Sequence, residues 1–243
     1  MHRCSFESTV YFQKHTKPLN IDILMKRTVL ILISILCAYV CPFAQMIGLP
    51  VNIDSNYFPD DAFRNLVLSE FDTNHDGILS TVEAANPTLN AAGKGIKSIQ
   101  GIEYLDNLSY VDLSSNEITS LKGLNPEKIQ SLRCANNRLT TIDISPITEM
   151  RDIRELDCSG NQITSLKGIN SEKIQSLRCA NNRLTTIDIS PTTEMRDFRE
   201  LDCSGNQITS LDFLSRCKYL TFLNCSNNKL TDHSGLGQCQ YII

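Results

Sequence analysis

Tryptophan is absent from the 243-residue chain, and all aromatic residues together make up only 7% of it. A row of coplanar rings of the kind that grips polysaccharide is therefore hard to assemble. Histidine is scarce: His2 and His15 lie near the start, His75 sits in an acidic loop, and only His233 remains. No nucleophile–base pairing, pair of catalytic carboxylates or phosphate-cradling glycine loop emerges, so the inventory argues against an enzyme. Excess positive charge is missing too, with 23 Lys and Arg against 27 Asp and Glu. A nucleic-acid partner would need a basic stripe, and none is visible. There is no long linker rich in Pro, Gly or Ser, so the length allows one or two domains. No apolar run is long enough to span a bilayer as an ordinary helix.

What is abundant is repetition. Ser120–Thr164 and Ser165–Thr209 are two copies of one 45-residue segment and differ at only four positions. Copying half of a domain packed around one active site leaves the copy nothing to bury against. A solenoid accepts the copy, since each coil touches only its neighbours. Inside the segment lies a shorter pattern, L-x-x-L-x-(L/C)-x-x-N-x-(L/I). It begins at Leu108-Val111-Leu113-Asn116-Ile118 and ends at Leu220-Leu223-Cys225-Asn228-Leu230, with its asparagines 21, 24, 21, 24 and 22 residues apart. This is the leucine-rich-repeat signature. The predicted fold is α/β: a right-handed solenoid with short parallel strands (around Leu132-Arg133-Cys134, for example) on a concave face and 3₁₀ or turn segments on the convex face. Asparagine suits the corner because its amide both donates to and accepts from backbone groups that would otherwise be buried unpaired. Leu89-Ala91-Lys94-Ile96 reads as a degenerate first coil, with Lys94 in the asparagine's place.

On these motifs the region 86–243 resembles the secreted and surface leucine-rich-repeat proteins of bacteria, of which the internalins are one branch. The resemblance implies a non-enzymatic binding surface, often used for adhesion, and leaves the ligand open.

Met25-Lys26-Arg27, the thirteen mostly apolar residues Thr28–Val40 and then Pro42-Phe43-Ala44 have the layout of a secretory signal peptide over 25–44. Residues 1–24 fit no targeting pattern and read as a spurious upstream extension. The expectation is an exported protein, secreted or at the cell surface, with no transmembrane segment after processing. Ten cysteines in such a chain invite a disulfide framework. Five of them, Cys134, Cys158, Cys179, Cys203 and Cys225, occupy one inward position of successive coils. In-register parallel strands ~4.8 Å apart point these side chains the same way, so they are expected to form a ladder of small buried residues without disulfides. Cys217 and Cys239 would start a second, shorter ladder.

One motif carries chemistry. Asp72-Thr73-Asn74-His75-Asp76-Gly77-Ile78-Leu79-Ser80-Thr81-Val82-Glu83 fits an EF-hand calcium loop. Calcium takes six to eight oxygens. Asp72, Asn74 and Asp76 would give side-chain oxygens, Ile78 its carbonyl, Ser80 a direct or water-borne ligand and Glu83 a bidentate carboxylate. Gly77 permits the sharp turn. Pro59 and the apolar face Phe63, Leu66, Val67 and Phe71 predict an entering helix over 60–71. Asn86-Pro87 stops the exiting helix early, and no second loop follows. Residues 46–85 are therefore expected to form a small helical EF-hand-like cap that one Ca²⁺ staples, without a sensor's opening motion.

Outward positions on the strands read Asp112, Arg133, Asp157, Arg178, Asp202 and Asn224, an alternation of acid and base that side-by-side strands reward. One outward position earlier stand Tyr110, Ser131, Glu155, Ser176, Glu200 and Phe222. As ligand contacts we single out Tyr110, Arg133, Glu155, Arg178, Glu200 and Phe222, because aromatics and arginine dominate binding hot spots. The functional expectation is a calcium-stabilised binding protein that takes a protein ligand on its concave face. Two alternatives stay open: a polysaccharide-binding surface module, or a truncated fragment of a larger adhesin. The residues Leu236–Ile242 repeat the lead-in Leu214–Leu220, so the chain is expected to end in mid-repeat, with end-to-end self-association through the open strand edge as one outcome.

Overall fold

The computed structural model describes residues 48–142, 153–166, 169, 172–187, 189 and 195–231. Cys239 and the segments for which a leader and a mid-repeat ending are expected lie outside these residues.

Each coil is built on a three-residue strand whose middle side chain points inward. In Ser131-Leu132-Arg133 the serine is half-buried, the leucine buried and the arginine exposed. After a short antiparallel pair, β1 (Val51–Asn52) with β2 (Ile78–Leu79), come β3 (Thr88–Asn90), β4 (Tyr110–Asp112), β5 (Ser131–Arg133), β6 (Glu155–Asp157), β7 (Ser176–Arg178), β8 (Glu200–Asp202) and β9 (Phe222–Asn224). These seven form one parallel sheet in chain order. The register is unshifted throughout, so that Val111, Leu132, Leu156, Leu177, Leu201 and Leu223 face one another in line. All six are buried, and each such side chain contributes about 1.5–3 kcal/mol relative to exposure. The degenerate coil supplies a full strand, β3, with Leu89, Ala91 and Ile96 in the core. The strands start one residue earlier than the repeat pattern predicts. Arg133 and its equivalents therefore close their strands, and Cys134 lies just past the strand end.

The repeat asparagine fastens one coil to the next. Asn161 Nδ2 donates to the carbonyls of Cys134 and Cys158, both at 3.0 Å, and its Oδ1 accepts the Leu139 N–H at 2.9 Å. Asn137, Asn182 and Asn206 repeat the scheme. Asn116 extends it to the degenerate coil, where its Oδ1 accepts the N–H groups of Lys94 and Ile96. Cys134, Cys158, Cys179 and Cys203 are fully buried unlinked thiols, and Cys225 is half-buried. Burial pushes the Cys203 thiol up to about 12 and raises those of Cys134, Cys158 and Cys179 as well.

Among the described residues, the helix α1 (Asp61–Glu70) lies ahead of the sheet. Asp60 precedes it as N-cap and accepts the Phe63 N–H at 2.9 Å. Its other oxygen accepts the N–H groups of Lys97 and Ser98 at 2.9 and 3.1 Å, which ties the helix start to the first coil. Phe63, Leu66, Val67 and Phe71 are buried, as the spacing predicts. The exiting segment is a single 3₁₀ turn, Glu83–Ala85, ahead of Pro87.

Candidate functional sites: the acidic loop and the strand face

The loop 72–83 runs from the end of α1 through β2 to the 3₁₀ turn. Phe71 and Asp72 both donate their N–H groups to Val67 O, which turns the chain off the helix. Gly77 takes φ +74°, a conformation that a side chain at the sharp bend would strain. The Ile53 N–H then meets Gly77 O at 2.9 Å, and Leu79 is driven wholly into the core.

The carboxylates of this loop turn onto its own donors. Asp72 accepts the N–H groups of Asp76 and Gly77 at 3.1 and 3.0 Å, and Asp76 accepts that of Ile78 at 2.8 Å. Asn74 accepts the Asp76 N–H and donates to the Asp76 carboxylate. Glu83 Oε1 accepts the Thr73 N–H at 3.0 Å, while Oε2 accepts the Ser80 N–H at 3.0 Å and its hydroxyl at 2.7 Å. Burial works to raise the Glu83 carboxyl, but the Ser80, Asn74 and Thr73 hydrogen bonds outweigh it and hold the group below its ordinary value. Asp72 and Glu83 are only 3% and 8% exposed, and neither forms an ion pair with a Lys or Arg among the described residues. Nor do three His, Cys, Asp or Glu side chains converge as a metal cluster among those residues. The donor set is thus three carboxylates closed on backbone N–H groups, together with the neutral oxygens of Asn74, Ser80 and Ile78. The hard-oxygen chemistry suits calcium. The bond from Thr73 to Glu83, which ties the two ends of the loop together, has no counterpart in the sequence reading.

On the sheet's outer face, Arg133, Glu155, Arg178 and Glu200 line one depression of about 340 Å³, with Asp157 and Arg199 beside them. Tyr110 on β4 and Phe222 on β9 stand to either side of those strands, both exposed. The expected alternation of charge is present in register, yet the charges do not pair laterally. Asp112, Asp157 and Asp202 instead accept the N–H group two residues on, from Ser114, Ser159 and Ser204 at 2.9–3.1 Å. The ion pair that forms on this face is diagonal, Arg178 to Glu200 at 3.0 Å. Two residues outside the repeat consensus complete the surface: the Arg199 guanidinium lies 5.4 Å over the centre of the exposed Tyr219 ring. The signal for Arg199 was its position, one residue ahead of a strand, where Arg154 stands in the first copy.

A solenoid of in-register three-residue strands fastened by an asparagine ladder defines a leucine-rich-repeat protein. The family profile described as the Endo-beta-N-acetylglucosaminidase EndoS LRR domain matches residues 58–192, and a second, described as Leucine Rich repeats (2 copies), matches 199–237. The first match takes in more than half of the chain, which therefore belongs to that family of leucine-rich-repeat domains. Among solved structures it is similar to internalin C2 of Listeria monocytogenes, with 29% identity and a TM-score of 0.67 over 80% of this chain and 85% of that one. It is also similar to the functional domain of InlJ from the same organism, described as including a cysteine ladder. There the identity is 28% and the TM-score 0.58, over 79% of this chain and 47% of that one. No curated protein sequence matches the chain significantly. The fold is one that commonly mediates protein–protein interaction, and no enzyme family is indicated. No helix among the described residues is long and apolar enough to cross a membrane.

Proposed function

We propose that this is an exported binding protein, secreted or held at the cell surface, that takes a protein ligand on the exposed face of its parallel sheet and uses one Ca²⁺ to staple its N-terminal cap. The observation that carries the reading is the depression where Arg133, Glu155, Arg178 and Glu200 meet. Arginines with exposed aromatics on both flanks supply the residue types that dominate protein-binding hot spots. Export rests on the signal-peptide layout of residues 25–44.

The calcium part rests on two buried carboxylates, Asp72 and Glu83, that form no ion pair with a Lys or Arg among the described residues. Asp72, Asn74, Asp76, Ile78, Ser80 and Glu83 would hold the ion. It would supply the positive charge that Asp72 and Glu83 lack and fasten α1 to the 3₁₀ turn before the first coil.

Screening the labelled protein against protein and glycan arrays tests the binding reading, with Arg133→Ala/Arg178→Ala as the control. Protein hits that the double variant loses are expected. Hits confined to glycans, or hits the variant retains, overturn it. The staple is tested by melting in calcium and in chelator. At a hundredfold excess of calcium over Kd the gain is about 2.7 kcal/mol, and Glu83→Gln should abolish it. Equal melting temperatures in calcium and chelator refute the staple.

A further inference from the structure

The two rows of outward residues on the sheet differ in what they leave available. In the row that closes the strands, Asp112, Asp157 and Asp202 are spent on their own turns. Arg133 and Arg178, which lie between them in register, are left facing outward. Arg133 has no side-chain hydrogen bond or ion pair among the described residues. Arg178 meets Glu200 at 3.0 Å with both side chains about half exposed. Such an exposed pair is screened by solvent and weak, so a ligand can displace it readily. In the other row, Glu155 and Glu200 alternate with Ser131 and Ser176, whose hydroxyls donate to the glutamate of the next strand at 3.2 and 3.1 Å.

The 45-residue duplication spans two coils, so both rows repeat with a period of two strands. A guanidinium recurs on β5 and β7, and a carboxylate on β6 and β8. Two strand spacings are about 9.4–9.8 Å. A ligand that meets both copies in the same way must repeat over that distance. An α-helix repeats at about 5.4 Å per turn. An extended β-strand shows the same face about every 6.6–6.8 Å. A polyproline II helix has three residues per turn at ~3.1 Å each and returns to the same face after about 9.3 Å. It alone matches in a single turn.

Resting on the reading above that a protein ligand binds this face, we propose that the ligand is a polyproline II segment of tripeptide period, with an acidic and a basic side chain in each triplet, laid across the strands. Its acidic positions meet Arg133 and Arg178, its basic positions meet Glu155 and Glu200, and its third position packs on the sheet between the rows. The exposed rings of Tyr110 and Phe222 bracket the path. They are five strand spacings apart, about 24 Å, which a polyproline II chain covers in about eight residues. Three triplets fill it. Aromatic side chains at the ends of a groove suit such a chain, whose preformed backbone loses little entropy on docking.

Fluorescence anisotropy with labelled nine-residue peptides tests this directly. One peptide carries three Glu-Pro-Lys triplets; two others have the same composition, with the acidic residues regrouped or shuffled out of the three-residue period. We expect the triplet peptide to bind at least tenfold tighter than either. Arg133→Ala and Arg178→Ala should weaken it by similar factors, since the two copies present the same group. Equal binding of all three peptides overturns the proposal. So does a triplet peptide that fails to bind while an array-derived folded protein still depends on Arg133 and Arg178, an outcome that leaves the reading of the face intact. Failure of both peptide and array binding overturns the two together.

Discussion

Replacing Asn161 with Ala probes what holds the coils in register. The substitution removes the acceptor for the Leu139 N–H and the donor to the Cys134 and Cys158 carbonyls. The carbonyls are not orphaned, because Asn137 also donates to Cys134 O at 3.1 Å and Asn182 to Cys158 O at 3.0 Å. The Leu139 N–H has no second acceptor among the described residues and lies at a fully buried residue. An unsatisfied buried donor costs about 1–3 kcal/mol, and each lost hydrogen bond about 0.5–1.5 kcal/mol. The expected loss is therefore about 2–6 kcal/mol. In urea it reads as a lower midpoint at unchanged m, by about 1–3 M for an m of about 2 kcal/mol/M. Asn228 makes the same contacts but is only half-buried, so water can replace the lost amide. Asn228→Ala should cost no more than about half as much on the same reasoning. A loss below about 0.5 kcal/mol at Asn161, or equal losses at the two positions, would refute the argument from buried backbone donors.

Two further outcomes are expected. Thiol reagents at mildly alkaline pH should leave Cys134, Cys158, Cys179 and Cys203 unlabelled in the native protein, label the half-buried Cys225 first, and label all five after denaturation. Uniform native labelling by mass spectrometry would contradict the buried ladder. In chelator, Glu83 contributes stability that is fully present above its unfolded pKa and lost as pH falls through its lowered folded value. Glu83→Gln should therefore flatten the acid limb of a stability–pH curve, and an unchanged limb would show that the Thr73 and Ser80 bonds do not favour the ionised carboxylate.

The inward positions were legible because their side chains obey one strong rule, burial, repeated at nearly constant spacing. The asparagines were legible for the same reason, since their partners are backbone groups present in every coil. The strand start at Ser131 was not, because a half-buried serine carries no apolar signal. The diversion of Asp112, Asp157 and Asp202 into their turns had a local cue, an aspartate two residues ahead of a serine, but cross-strand pairing competes for the same carboxylates. A hydrogen bond to an adjacent backbone N–H demands less side-chain ordering than an exposed ion pair and prevails. Asp60 escaped notice as a cap because its second set of partners, Lys97 and Ser98, is distant in sequence. The stacking of Arg199 on Tyr219 joins two positions outside the repeat pattern, where periodicity carries no information. For the loop 72–83 the spacing located the polar side chains, and hydrogen bonding decided which way each oxygen turned.

The near-identity of the two copies makes the number of coils a free variable of this architecture. Asn137 and Asn182, like Asn161 and Asn206, reach equivalent carbonyls at distances that agree within 0.1 Å. The seam between the copies, Thr164 to Ser165, lies between strands β6 and β7. A third copy spliced at that seam would find the contacts it needs already waiting on both sides. It would lengthen the sheet by two strands, about 9.4–9.8 Å, and add one more guanidinium and one more carboxylate in phase with the others. The length of the sheet is thus a property that can change in whole steps, without a single new side chain being required.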